Sequence, residues 1–202
     1  MSVEKQNIRQ KLRRKRAQAF QVDQDNGALA ADLLAQKGET LLSLPDVSIV
    51  AGYIPIGSEI DPRPLMSRFV PHGAKLCLPE VVDKNQALQF RTWSPGDMLI
   101  SGLLGTLQPM SSAQIVEPDL VLVPLLGLDL KGVRLGQGGG FYDRTLALLK
   151  SNGARAYGVA FDEQIVDDLP NEPHDQLLDG VITPSLCKIW NEERQANYIA
   201  QD

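Results

Sequence analysis

Arg134-Leu135-Gly136-Gln137-Gly138-Gly139-Gly140-Phe141-Tyr142-Asp143 concentrates glycines, a guanidinium, a phenol and a carboxylate between an apolar, strand-like segment and a helix-like one. That mixture suits phosphate. Glycines let the backbone approach an anion closely and turn successive N–H groups toward its oxygens. A following helix adds its positive end, Arg134 adds a permanent cation, and Asp143 can hold a divalent metal bridging the same phosphates. Two better-known phosphate loops are excluded by spacing. A P-loop needs Lys and then Ser or Thr where Phe141 and Tyr142 stand, and the dinucleotide fingerprint needs a glycine at Phe141. A plain strand-to-helix turn calls neither for three consecutive glycines, with their large entropy cost, nor for the flanking charges.

The elements that must position this run follow from pattern. Residues 119–124 read as a buried strand, followed after Gly127 by a loop, the glycine run, and a helix with Tyr142, Leu146 and Leu149 on one face. Residues 48–54 are apolar and β-branched, a buried parallel strand with a loop over 55–59 at its end. Residues 62–70 form a crossover helix. Residues 75–78 and 87–91 are further strands, the second with Leu88 and Phe90 inward and Gln89 and Arg91 outward. Residues 156–161 and 180–183 are later strands, and 185–202 a polar terminal helix or tail. A second helix is expected over 23–44, with Leu29 and Leu33 on its apolar side and Leu34 beside them, ended by Pro45. Residues 94–118, rich in Pro, Gly and Ser, form a long surface excursion placed to fold over a site. The pattern predicts an α/β fold: a single-domain, mostly parallel Rossmann-like sheet with helices on both faces. Ligands in such sheets gather beyond the carboxyl ends of the strands, so loops 54–61, 126–143 and 161–175 should share one edge.

Composition narrows the class. The chain has 202 residues, 43% hydrophobic and 22% charged, as in soluble globular proteins. It has no run of the roughly 18 apolar residues that a membrane span needs. No apolar run follows the basic amino terminus, so no secretory signal is read and a cytoplasmic location is expected. Cys77 and Cys187 lack metal or redox spacing, and Cys77 between two leucines reads as a small buried strand residue. His72 and His174 are the only histidines, which excludes a His-rich metal centre and leaves acid–base work to carboxylates, tyrosines or substrate.

The net charge of −5 hides an asymmetry. Lys5, Arg9, Lys11, Arg13, Arg14, Lys15 and Arg16 face Glu4 alone in residues 1–20, a basic helix on an acidic body. Ile8, Leu12, Ala19 and Phe20 give that helix its apolar stripe. Lys5, Arg9, Arg13 and Arg16 form the other face, expected to be solvated for the most part, with Lys5 and Arg9 one turn apart and able to reach one phosphate chain. The acidic body and the absence of interleaved aromatics argue against a nucleic-acid partner.

The stretch Leu135 to Asp143, following Val121-Leu122-Val123-Pro124, resembles the signature of 5-formyltetrahydrofolate cyclo-ligases. Lys5 with Arg9 resembles that family's amino-terminal ATP contact, Tyr53-Ile54-Pro55 leading to Glu59-Ile60-Asp61 its folate segment, and His174-Asp175 its late acidic motif. The matching blocks are spread over residues 5–183. The resemblance implies ATP-dependent conversion of 5-formyltetrahydrofolate to 5,10-methenyltetrahydrofolate, with Mg2+ required and ADP and phosphate released. ATP phosphorylates the formyl oxygen, and the neighbouring folate nitrogen then attacks the activated carbon as phosphate departs. The protein must position, neutralise charge and exclude water.

By the same resemblance Lys5, Arg9, Arg134, Leu135, Gly136, Gln137, Gly138, Gly139, Gly140, Phe141 and Tyr142 hold ATP. Gln137, Gly138, Gly139, Gly140 and Phe141 also touch folate, Ile54 lines its apolar slot, and Glu59 accepts hydrogen bonds from the pterin. Asp143 and Asp175 carry magnesium, and Arg134 and Tyr142 are the implied catalytic pair. The implied partner is 5-formyltetrahydrofolate, bare or polyglutamylated, acting on a monomer. Competing readings make Glu59 a cap for the helix near Pro62, Asp143 a cap for its own helix, and Asp175 a water-facing loop residue. Trp93 and Phe90 are candidates for lining the folate site, with core packing the rival reading for Phe90. Phe141 stands where a tyrosine is usual, and Gln108 where glutamate is frequent. The alternative class is a non-catalytic folate- or nucleotide-binding regulator on the same scaffold, against which Arg134, Asp143 and Asp175 argue.

Overall fold

The computed structural model describes residues 3–22, 27–173 and 175–190. Helix α1 (Val3–Val22) is followed by α2 (Ala28–Gly38), β1 (Ile49–Ala51), α3 (Arg63–Phe69), β2 (Lys75–Glu80) and β3 (Gln89–Thr92). Then come β4 (Leu99–Ser101), β5 (Leu107–Pro109), β6 (Ile115–Val116), β7 (Leu120–Pro124), β8 (Gly127–Asp129) and β9 (Arg134–Leu135). Helix α4 (Phe141–Ser151), β10 (Arg155–Val159), β11 (Ile165–Val166), β12 (Gly180–Ile182) and β13 (Cys187–Ile189) complete the order. Among the described residues no helix is long and apolar enough to cross a membrane.

The main sheet has the order β13-β12-β10-β7-β1-β2-β3-β6. Its five central strands, from β12 to β2, are parallel, and β13, β3 and β6 are antiparallel additions at the edges. The central strands are apolar along their length because both faces are covered. Leu120, Leu122, Tyr157 and Ile182 face one core with α2 and α3, while Val121, Val123, Ala156 and Val181 face the other with Leu146 and Leu149 of α4. Fully burying each of these leucines is worth about 2–3 kcal/mol. Asp119 sets the register at the amino end, its carboxylate accepting the Ser48 and Ile49 N–H groups at 2.9 and 2.8 Å. The result is the α/β architecture with helices on both faces that the sequence predicts.

Several expectations are corrected. The second helix starts at Ala28, behind Gly27 at φ 84°, and its inner face is Ala30, Ala31, Leu34 and Ala35; residues 23–26 lie outside the described residues. Leu29 and Leu33 are exposed, since small residues let α2 approach α3 so closely that a side chain on Gly38 would meet Leu65 at 2.6 Å. The loop expected after Gly127 is instead the β8–β9 hairpin, joined by β11 into a small separate sheet. Residues 94–118 contain the β4–β5 hairpin and β6. Cys187–Ile189 is a strand, while the rest of the expected tail, 191–202, lies outside the described residues.

Gly180 is squeezed between β10 and β13: an added Cβ would lie 2.4 Å from the Lys188 carbonyl and 2.6 Å from the Tyr157 ring. Neither neighbour is the free end of a flexible chain. Gly180→Ala is therefore expected to destabilise the fold by about 1–3 kcal/mol. An unchanged thermal midpoint would show that the sheet opens here without cost.

Candidate active site

The carboxyl ends of β1 and β7 and the small sheet surround a cavity of about 400 Å³. That is within the usual range for a small-molecule site. The whole run from Arg134 to Asp143 lines it, together with Lys5, Arg9, Ile54, Glu59 and Asp175. Residues from widely separated stretches of chain thus meet at one edge of the sheet. Pro79, Val81 and Leu88 add an apolar wall that sequence reasoning did not assign, and Leu104, Thr106 and Leu107 reach the cavity from the 94–118 excursion expected to fold over a site. Trp93 and Phe90 do not line the cavity: Trp93 packs in the α2–α3 core and Phe90 in the α4 core.

Arg134, 8% exposed, donates from Nη1 to the Gln176 carbonyl at 3.0 Å and from Nη2 to Asp143 Oδ1 at 2.7 Å. This pair closes the glycine run at its base. Gly140 takes φ 66° immediately before α4, a left-handed turn that suits glycine. Outside the loop, the Arg144 guanidinium lies over the Phe141 ring, 5.1 Å from its centroid, and donates to the Gly139 carbonyl.

The basic face of α1 is not solvated. Lys5, Arg9 and Arg16 are buried, and only Arg13 of that set is exposed, although it still reaches Gln137 Oε1 at 3.0 Å. Lys5 Nζ contacts Asp175 and Glu172, each at 3.0 Å. Arg9 Nε donates to the Gly136 carbonyl at 3.0 Å, while its Nη1 is buried without a partner. Arg9 lines the cavity as a residue, but its Nη1 is closed off from solvent. Arg16 binds Ser58 and Glu59. It was missed because its acceptors lie more than forty positions away in sequence; the available signal was its place on the same helical ridge as Lys5 and Arg9.

The carboxylates do not take their competing roles. Helix α3 starts behind Pro62 without a side-chain cap, and Asp61, not Glu59, accepts the Arg63 N–H. Glu59 accepts instead from Arg16 and from the Ile56 N–H. Asp143 accepts from Arg134 and, at 3.4 Å, from the Gln176 N–H rather than capping its helix. Asp175 is 14% exposed and ion-paired, not water-facing; His174 lies outside the described residues. The Gln176 bond brings the Asp175 segment against Asp143. No cluster of three or more metal-ligating side chains occurs among the described residues, so a cation here would have two carboxylates and complete its shell from ligand oxygens and water.

Burial pushes the Tyr142 hydroxyl far up, with the Glu59 charge adding to it, and Tyr53 shifts the same way for the same two leading causes. Both phenols are neutral at ordinary pH. The Tyr53 hydroxyl donates to the Ile60 carbonyl at 2.8 Å.

Residues 1–184 match the model of the 5-formyltetrahydrofolate cyclo-ligase family. The chain belongs to that family. A Mycolicibacterium smegmatis 5-formyltetrahydrofolate cyclo-ligase is 37% identical over 145 residues, covering 67% of this chain and 73% of that one. The Escherichia coli K12 cyclo-ligase is 32% identical over 163 residues, covering 77% and 88%. The NMR structure of Aquifex aeolicus 5,10-methenyltetrahydrofolate synthetase superposes with a TM-score of 0.71 at 29% identity over 92% of each chain. The Mycoplasma pneumoniae 5,10-methenyltetrahydrofolate synthetase shares the fold, with a TM-score of 0.69 at 22% identity, covering 90% of this chain and 99% of that one. The cyclo-ligase fold expected from the glycine run is therefore the fold observed.

Burial pulls the Lys5 ammonium down, but hydrogen bonds and charge from Asp175 and Glu172 outweigh it and hold the group above its ordinary value. A cation with a raised folded value stabilises fully below its unfolded value, about 10.5, and loses that contribution as pH climbs through the folded one. Unfolding midpoints of the native chain should fall over that alkaline interval more than those of Lys5→Met. Parallel curves would remove Lys5 from the account.

Proposed function

We propose that this cyclo-ligase-family chain converts 5-formyltetrahydrofolate and ATP to 5,10-methenyltetrahydrofolate, ADP and phosphate, at the cavity that Arg134 to Asp143 line. The convergence of Lys5, Arg9 and Arg134 with the whole glycine run on one cavity carries the reading, because three cations and a row of backbone N–H groups suit a chain of phosphates. Lys5, Arg9 and Arg134 hold the triphosphate, and the N–H groups of residues 135–142 wrap it. Ile54 and the apolar wall hold the pterin ring, while Glu59 accepts from its amino and ring N–H groups.

The formyl oxygen attacks the γ-phosphorus as the bond to ADP breaks. The folate N10 then attacks the formyl carbon, the carbon–oxygen bond breaks, inorganic phosphate leaves and N10 loses its proton. Arg134 stabilises charge on the transferring phosphoryl group from a position fixed by Gln176 and Asp143. Tyr142, kept neutral by burial, orients an oxygen as a hydrogen-bonding hydroxyl and is not a phenolate base. Phe141 closes the reacting centre to water without supplying a second hydroxyl. Asp143 and Asp175 would hold Mg2+, which when bound neutralises charge between phosphate oxygens. The inward engagement of Lys5, Arg9 and Arg16 supports a small-molecule partner over nucleic acid. We place the enzyme in the cytoplasm as a monomer acting on folate with or without a polyglutamate tail.

Near-ultraviolet absorbance tests the reaction, because the methenyl product alone conjugates across both nitrogens. A rise that needs folate, ATP and magnesium together is expected. Folate or ATP binding without any rise would instead favour a non-catalytic binder. Asp143→Asn should remove magnesium-dependent turnover, by at least about a hundredfold, and leave the thermal midpoint close to native. Retained turnover would take Asp143 out of the metal site.

A further inference from the structure

Arg16 stands eleven residues beyond Lys5, close to three helical turns, so both lie on one ridge of α1. Its side chain is 7% exposed. Nε donates to Ser58 Oγ and Nη1 to Glu59 Oε1, both at 3.2 Å. A planar guanidinium with donors on two successive residues fixes their direction as well as their distance. Glu59 Oε2 in turn accepts the Ile56 N–H at 3.0 Å. The carboxylate is thereby gripped on both oxygens, from α1 and from its own loop.

The ends of the loop are anchored by the buried Tyr53 and Ile60 and the hydrogen bond between them, but the Glu59 side chain takes its direction from Arg16 and the Ile56 N–H. Between Gly52 and Asp61 the chain forms no helix or strand, and Gly57 takes φ 62°. Glu59 lines the cavity and Arg16 does not, so Arg16 can influence a ligand only through Glu59 and Ser58. The charge pair also sits beside the buried Tyr53 phenol: after burial itself, the Glu59 charge raises it most, and Arg16 partly offsets that.

We propose that Arg16 is a positioning residue for folate recognition, presetting the Glu59 carboxylate as the acceptor that the pterin N–H groups meet. This rests on the reading of Glu59 as the pterin acceptor. The ridge is then divided between the two ligands, with Lys5 and Arg9 serving the phosphate end and Arg16 the folate end. A tether that only docked α1 would affect both ligands alike.

The test is calorimetric titration of 5-formyltetrahydrofolate, and separately of a non-hydrolysable ATP analogue, into native protein, Arg16→Met, Arg16→Lys, Glu59→Gln and the double variant Arg16→Met with Glu59→Gln. Arg16→Met should weaken folate by at least about tenfold and the ATP analogue by no more than about twofold. Arg16→Lys should recover part of the loss, and the double variant should bind folate no worse than Glu59→Gln, because Arg16 acts through that carboxylate. Native folate affinity in Arg16→Met, equal loss of both ligands, or additive losses in the double variant would each overturn the proposal. If Glu59→Gln alone keeps native folate affinity, the reading of Glu59 falls and the proposal with it. If Glu59→Gln is impaired and Arg16→Met is not, only the proposal falls. Should Arg16→Met fail to fold, Arg16→Lys carries the comparison: weaker folate with unchanged ATP-analogue binding supports the proposal, and no change overturns it.

Discussion

Three cations buried along one ridge of α1 are the constraint on which the site depends. A buried ammonium or guanidinium is tolerated only where acceptors replace its water. Lys5 finds Asp175 and Glu172, Arg9 the Gly136 carbonyl, and Arg16 Ser58 and Glu59. Each acceptor group belongs to a different loop at the carboxyl edge of the sheet. Leu12, 2% exposed, supplies the apolar part of the same contact, packed with Leu126, Val133, Leu135 and Leu169. Hydrophobic burial holds the helix down, and the cations decide which groups of each loop turn toward it. The helix thus brings one cation to Asp175 and Glu172 and another to Glu59.

The glycine run has the opposite problem: a flexible segment must be ordered before it can serve an anion. Its constraint comes from the ends. Asp129, fully buried, accepts the Lys131 and Val133 N–H groups on one oxygen and the Leu169 N–H on the other, which fixes the β8–β9 turn. Burial pushes its carboxyl upward despite those three bonds. Strand β9 then delivers Arg134 to Asp143 on the first turn of α4, so the nine-residue separation is closed as a ring. Arg144 secures the outside. Much of the glycine entropy is thus lost on folding, before any ligand arrives.

What was legible in the sequence follows from range. Residues 120–124 announce a central strand because burial on both faces leaves no polar position. The glycine run announces an anion site because the needed chemistry is contiguous. Helix α2 misled because alanines are inside and leucines outside, a choice made by close packing on α3 rather than by hydropathy. The β4–β5 hairpin and the small sheet have strands of two or three residues, too short for any alternation to register. The basic ridge read as a solvated face because periodicity reports that charges are aligned, not what lies opposite. The acceptor for Lys5 is 170 positions away.

The charges are also sorted along the cavity, and the sorting gives direction. Lys5 and Arg16 are separated by roughly 16 Å of helix rise, with Arg9 on the glycine run nearer the first and Glu59 held by the second. A triphosphate placed at the Glu59 end would face a carboxylate and neutral phenols in a water-poor setting, where like charges repel strongly. A pterin at the other end would set an uncharged ring against the Arg9 guanidinium and the Lys5 ion-pair cluster. Each wrong placement carries its own penalty, so orientation does not depend on attraction alone. Tyr142, on the first turn of α4 with its hydroxyl raised by burial and by Glu59, belongs to both environments.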